Sequence, residues 1–148
     1  MDAFYLKAFR ADGVKIERSL RRSAALFTEG SPYLMQLVGH YLVSYAIDGA
    51  VGPDAYEEAL RSARGEFVDD VCATTVAGLS AGDVAYLKAM GQLGGSCRTS
   101  DVAAAMGVTP DYDQQHRRRL LDAGVIKAPR KGWVCLDVPF LADYLAMA

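Results

Sequence analysis

The chain lacks an excess charge of either sign. Among its 148 residues, 16 Lys and Arg stand against 18 Asp and Glu, so no global field points to a polyanionic partner. A segregated basic face remains open. Cysteine is also scarce. Cys72, Cys97 and Cys135 form an odd, scattered set, which argues against a disulfide framework. They lack paired ligand spacing and are expected to be small apolar side chains in a reducing cytoplasm. The two histidines, His40 and His116, have no second His, Cys or carboxylate at metal-ligand spacing and are expected to be structural. There is no Ser-His-Asp order, no Cys-His motif and no paired-carboxylate signature. The glycine-rich stretch 91–95 lacks the Gly-Lys-Ser/Thr of a phosphate loop and is a turn. The chain alone therefore carries no catalytic constellation and is not expected to be an enzyme. No basic-then-apolar leader opens it, so a cytoplasmic location is expected.

Half of the residues, 51%, are apolar and 23% are charged, a globular balance that can build a core. The longest apolar stretch, from Tyr33 to Val51, could be mistaken for a membrane span. Gln36, His40, Ser44 and Asp48 recur within it every four residues, which stacks them along one stripe of a helix. Such a stripe suits a core helix wetted along one face, not one crossing hydrocarbon.

Residues 1–14 are ambiguous. From Ile16 a helical pattern runs through Leu20, Ala24 and Phe27, and Gly30-Ser31-Pro32 ends it and caps the next helix. The striped helix extends to about Asp48. Pro53 opens a third helix whose apolar positions run from Tyr56 to Thr75, with a bend expected at Gly65. Residues 15–78 thus predict three packed helices.

A second unit begins at Leu79-Ser80. Ser80 with Asp83 resembles a capping box, and Val84, Leu87 and Met90 supply a buried stripe. A short helix over 100–106, with Thr99 as its cap, leads into the Gly107-Val108 turn. Thr109-Pro110 then starts a helix reaching Ala123, and Gly124 closes it. Val125-Ile126 and 133–136 are β-prone runs flanking a basic tip, and Pro139 starts a last helix. Helix, short helix, tight turn, helix, hairpin is the order of a winged helix-turn-helix. In the run Asp101-Val-Ala-Ala-Ala-Met-Gly-Val108, small Ala103 admits the next helix and Gly107 tolerates the turn.

The helix from Pro110 to Ala123 would be the recognition helix. With His116, Leu120 and Ala123 facing inward, Asp111, Gln114, Gln115, Arg118 and Arg117 face out. Gln reads adenine edges, and Arg reads guanine or holds phosphate. Arg130 and Lys131 at the hairpin tip would reach an adjacent phosphate or the minor groove. Residues 96–148 hold seven basic and six acidic side chains, a modest balance for a domain that binds a polyanion. The competing reading has Arg119 covering apolar surface, with Arg117 and Arg118 solvated or paired with Asp113 and Asp122. Trp133 is expected to pack the hairpin onto the core. Residues 1–95, with nine basic against twelve acidic side chains, suit a protein contact.

Several segments together resemble a known family. Thr28-Glu-Gly-Ser-Pro-Tyr-Leu-Met-Gln-Leu-Val-Gly39, Leu79-Ser-Ala-Gly-Asp-Val-Ala-Tyr-Leu-Lys-Ala-Met90, His116-Arg-Arg-Arg-Leu-Leu-Asp-Ala-Gly-Val-Ile126 and Pro139-Phe-Leu-Ala-Asp-Tyr-Leu145 are similar, in order, to the C-terminal part of bacterial AAA+/STAND-type ATPases. The resemblance implies a mainly α chain, with a helical lid over 1–78 and a winged helix with a small β-hairpin wing over 79–148. It also implies that ATP and Mg²⁺ belong to a nucleotide-binding domain upstream in the parent protein. Related lids place an arginine after the Gly-x-Pro turn, where this chain has Tyr33. His116 stands where the family has tyrosine. The expected partners are duplex DNA, through Gln114, Gln115, Arg117, Arg118, Arg130 and Lys131, and the parent's ATPase domain. The alternative is a module that docks on that domain or on another protein without binding DNA. No membrane partner is expected.

Overall fold

The computed structural model of the protein describes residues 2–147. The chain is mainly helical with two small sheets. It divides into two compact units, Met1–Asp69 and Asp70–Ala148. The division falls within a helical run, ahead of the Gly78–Leu79 turn where the sequence placed it.

The first unit contains α1 (Asp2–Asp12), α2 (Arg18–Phe27), α3 (Pro32–Ser44) and α4 (Pro53–Phe67), one helix more than expected. Helix α1 is built on an i,i+4 aromatic pair. Tyr5 and Phe9 are buried and stacked, with ring centroids 5.6 Å apart. The Tyr5 hydroxyl donates to the carbonyl of Met35 on α3 at 2.8 Å, which satisfies its one polar group. Ile16 does not begin a helix. Lys15–Ile16 is a strand, β1, paired in parallel with β2 (Ala50–Val51), and the Lys15 N–H donates to the carbonyl of Gly49 at 2.7 Å.

Helix α3 starts as its sequence dictates. Ser31 Oγ accepts from the N–H of Leu34, and Pro32 sits in the first turn. Leu34, Leu37, Val38 and Leu42 are buried, whereas Gln36, His40 and Ser44 form the exposed stripe. The helix stops at Ser44, short of Asp48, because the chain turns sharply between Ile47 and Ala50 to enter β2. Among the described residues no helix is long and apolar enough to cross a membrane.

Helix α4 passes Gly65 without interruption and then widens into a π-helical turn, Val68–Cys72, followed by α5 (Ala73–Ala77). Phe67 and Cys72 are both buried five positions apart, the spacing of a π turn and not of an α-helix.

The second unit runs α6 (Ala81–Gln92), β3 (Ser96–Arg98), α7 (Thr99–Met106), α8 (Pro110–Asp122), β4 (Ile126–Lys127), β5 (Trp133–Leu136) and α9 (Leu141–Met147). The expected hairpin is the antiparallel pair β4 and β5. Strand β3 was not foreseen. It adds to the other side of β5, pairing Cys97 with Val134 and Arg98 with Trp133, so the order is β3-β5-β4. Three residues are too few to show a period of two. Tyr86, Leu87 and Met90 of α6, Leu120 of α8 and Leu141 and Leu145 of α9 are buried. Between α7 and α8, Gly107 adopts φ 69°, a left-handed turn that glycine makes without strain, and Ala103 beside it is buried. Helix α9 begins at Leu141, not Pro139, because Phe140 at φ 64° interrupts the helical backbone.

Candidate nucleic-acid interface

The rotation of α8 on α6 is set by a buried polar cluster. Ser80 Oγ accepts from the N–H of Asp83 at 3.1 Å, which is half of the expected capping box. The other half is not made. The Asp83 carboxylate is buried and turned to α8, where Nδ1 of His116 lies 2.7 Å from Oδ1. Arg119 donates to the same carboxylate from its terminal nitrogen at 2.8 Å and from Nε at 3.4 Å. Burial by itself would raise the Asp83 pKa. Hydrogen bonds from Arg119, His116 and Ser80 outweigh it and hold the group at about 2. The Arg119 guanidinium is therefore committed to an ion pair with Asp83. The backbone of Gly82 lies against the His116 ring, where a Cβ would come within 2.3 Å of Cε1.

With His116 and Leu120 fixed inward, Asp113 is buried beside them. Ala123, expected to face inward, is exposed, because α8 ends at Asp122 and the chain turns at Gly124 with φ 74°. Asp111, Gln114, Gln115 and Arg118 are exposed, as the helical spacing predicted, and Arg117 is half-buried. Gln114 and Arg117 line a cleft of about 210 Å³ together with Thr99, Ser100, Pro110, Asp111 and Asp113. The first residues of α7 and α8 thus meet at one place. Neither helix has a side-chain cap, at Arg98 or at Thr109 respectively, although the Thr99 N–H at the start of α7 is taken by the carbonyl of Gly132, and the positive ends of two helix dipoles lie here. The expected cap, Thr99, is instead the first residue of α7. Gln115 and Arg118 do not reach this cleft.

Four groups are buried without a hydrogen-bond partner among the described residues: Asp113 Oδ2 and Arg117 Nε on residues that line the cleft, and the Tyr86 hydroxyl and His116 Nε2 on residues that do not. Burial pushes the Asp113 carboxyl above its ordinary range, a shift opposed by the charges of His116 and Arg117. It also pushes the Tyr86 hydroxyl up, with the Asp113 charge adding to the effect.

The hairpin tip is attached to the same region. The carbonyl of Gly132 accepts from the N–H of Thr99 at 3.0 Å, and the Thr99 hydroxyl lies 3.4 Å from it. Arg130 and Lys131 are exposed at the tip. Trp133 is half-buried, not packed away: the Arg130 guanidinium lies 4.2 Å from its ring centroid and that of Arg98 5.7 Å away. Sequence reasoning counted Arg98 as a charge and gave it no role. Only its register opposite Trp133 places it at the tip.

The distribution of pairs sharpens the charge count. Arg119 is bound to Asp83, and Lys127 lies 3.4 Å from Asp137. Among the described residues Arg98, Arg117, Arg118, Arg130 and Lys131 have no carboxylate ion pair. No group of three or more His, Cys, Asp or Glu side chains among the described residues is placed to hold a metal. The three cysteines are free thiols, with Cys72 and Cys97 buried.

This second unit coincides closely with a protein family. The model described as "Domain of unknown function (DUF8462)" matches residues 69–145, more than half of the chain, and the chain belongs to that family. No curated protein matches the chain.

Proposed function

We propose that residues 79–148 are a winged helix-turn-helix that docks on duplex DNA, with α8 as recognition helix and the β4–β5 hairpin as wing. The observation that carries this reading is the gathering of unpaired cations around the start of α7. Arg117 stands on the cleft where two helix N-termini without side-chain caps meet, and the hairpin tip with Arg130 and Lys131 is tied to Thr99 through the Gly132 carbonyl. Helix N-termini and unpaired guanidinium groups are what a phosphate backbone requires. The order α6, β3, α7, α8, β4, β5 and the tight Gly107 turn support the winged-helix reading.

Each residue then has a role. Arg117, with Thr99 and Ser100, would hold backbone phosphate at the cleft, and Gln114 and Gln115 would face base edges. Arg118 shares the outward face of α8 with Asp111 and Asp122 and would contribute less. Arg130 and Lys131 would contact the neighbouring backbone or minor groove. Tyr112 is the one large apolar residue strongly exposed on α8 among those described, which favours a polar partner over an apolar protein surface. Within the same proposal the chain is the C-terminal part of an AAA+/STAND-like ATPase. ATP and Mg²⁺ would be bound by another domain of that polypeptide, and the helices of the first unit would act as its lid.

The test is fluorescence anisotropy of a labelled random duplex titrated with the chain between about 50 and 200 mM salt. The expected result is binding that weakens steeply with salt and falls in both Arg117→Ala/Arg118→Ala and Arg130→Ala/Lys131→Ala. Absence of binding at micromolar protein and low salt would overturn autonomous DNA binding and leave docking to a protein.

A further inference from the structure

We propose that Trp133 holds Arg98 and Arg130 as a two-guanidinium clamp for a single backbone phosphodiester, with Arg98 a phosphate contact and Trp133 a positioning residue. The inference rests on the DNA-docking reading above. Arg98 comes from β3, Arg130 from the turn before β5, and both guanidinium groups lie at the one indole ring. The cross-strand pairing of Arg98 with Trp133 fixes the first. The hydrogen bond from the Trp133 N–H to the Arg130 carbonyl, 3.1 Å, closes the turn that fixes the second.

The physical argument concerns which part of a guanidinium the ring occupies. Attraction between cation and aromatic ring engages the flat face and leaves the in-plane N–H donors free for an anion. Two such groups at one ring would repel each other in the absence of an anion. Neither has a carboxylate ion pair among the described residues. The nearby tip is pinned through Gly132 to Thr99, so the pair is held before any ligand arrives. A phosphodiester would neutralise both guanidinium groups and accept two forked hydrogen bonds. The ordering of two long side chains, normally lost on binding, is already met by the indole.

Trp133 is the only tryptophan in the chain, so its emission reports on this place alone. The experiment titrates the full chain with an unlabelled random duplex while following that emission. A labelled duplex is followed in parallel by anisotropy between about 50 and 200 mM salt. Expected is an emission change that saturates together with the anisotropy. Arg98→Ala should weaken binding about three- to tenfold and lower the salt slope by about one. Trp133→Leu should weaken binding similarly although the circular dichroism spectrum is kept, and Trp133→Phe, which retains a ring face, should restore most of the affinity. If Trp133→Leu fails to fold, the emission of the natural chain and Arg98→Ala still decide. Duplex binding with unchanged emission, and with unchanged affinity and salt slope in Arg98→Ala, overturns the clamp while the DNA-docking reading stands. Absence of any duplex binding overturns both.

Discussion

Oδ1 of Asp83 and Nδ1 of His116 stand 2.7 Å apart between α6 and α8, and through this contact a buried carboxylate decides which side of α8 faces outward. Arg119, one turn further along, closes the cluster on the same carboxylate. Removing Asp83 would leave the buried His116 nitrogen without its anionic partner. Asp83→Ala is expected to destabilise the second unit by about 3 kcal/mol, and Arg119→Ala, whose side chain is half exposed, by clearly less. Urea unfolding followed by circular dichroism measures both. Equal costs for the two variants would show that Asp83 is not the centre of the cluster.

The same carboxylate predicts an acid limit. Asp83 is held at about 2 in the folded chain against an ordinary value of 3.8. A lowered carboxyl pKa gives stability that is complete above the ordinary value and is lost as pH falls toward the folded value. The melting temperature should therefore fall between about pH 4 and pH 2 more steeply in the natural chain than in Asp83→Asn. Asp113, shifted the opposite way, is present in both and cancels in the comparison. Parallel pH profiles would remove Asp83 as the titrating group.

Gly82 is required by contact. A Cβ there would lie 2.3 Å from Cε1 and 2.7 Å from Nε2 of His116, and that ring is held by Asp83. Gly82→Ala is expected to cost about 2 kcal/mol from crowding. In a His116→Ala background the same change should be neutral or favourable, since alanine is the better helix former. A double-mutant cycle reads the coupling, and additive costs would contradict the contact.

Tyr86 offers the opposite expectation. Its hydroxyl is buried without a hydrogen-bond partner among the described residues. Tyr86→Phe should leave the unfolding midpoint unchanged or raise it, because an unpaired polar group is removed with little change in shape. A loss above about 1 kcal/mol would mean that the hydroxyl has a partner in solution.

Much of the architecture was legible in local signals. The Ser31 and Ser80 caps, Pro32, Pro53 and Pro110 in first turns, the wet stripe of Gln36, His40 and Ser44, and the hairpin at 126–136 all follow from what one residue does to its neighbours in sequence. Helix propensity, capping and the 3.6-residue period act over a few positions, so they can be read from a single chain.

What escaped that reading depends on partners distant in sequence. Strand β3 exists because β5, more than thirty residues later, offers it a ladder, and Lys15–Ile16 is a strand because Gly49 to Val51 return beside it. Asp83 looks like a cap from its neighbours alone. It became the anchor of α8 because His116 and Arg119 reach it across the helix interface. Arg98 and Trp133 were separate letters until strand register set them opposite each other. The sequence by itself determined where α3, α4, α6 and α8 begin and which face of α3 is wet, since those are short-range matters of backbone geometry and hydration. Only the tertiary structure decided which charges are neutralised and which stay unpaired, because Coulomb and hydrogen-bond partners are chosen by distance in space.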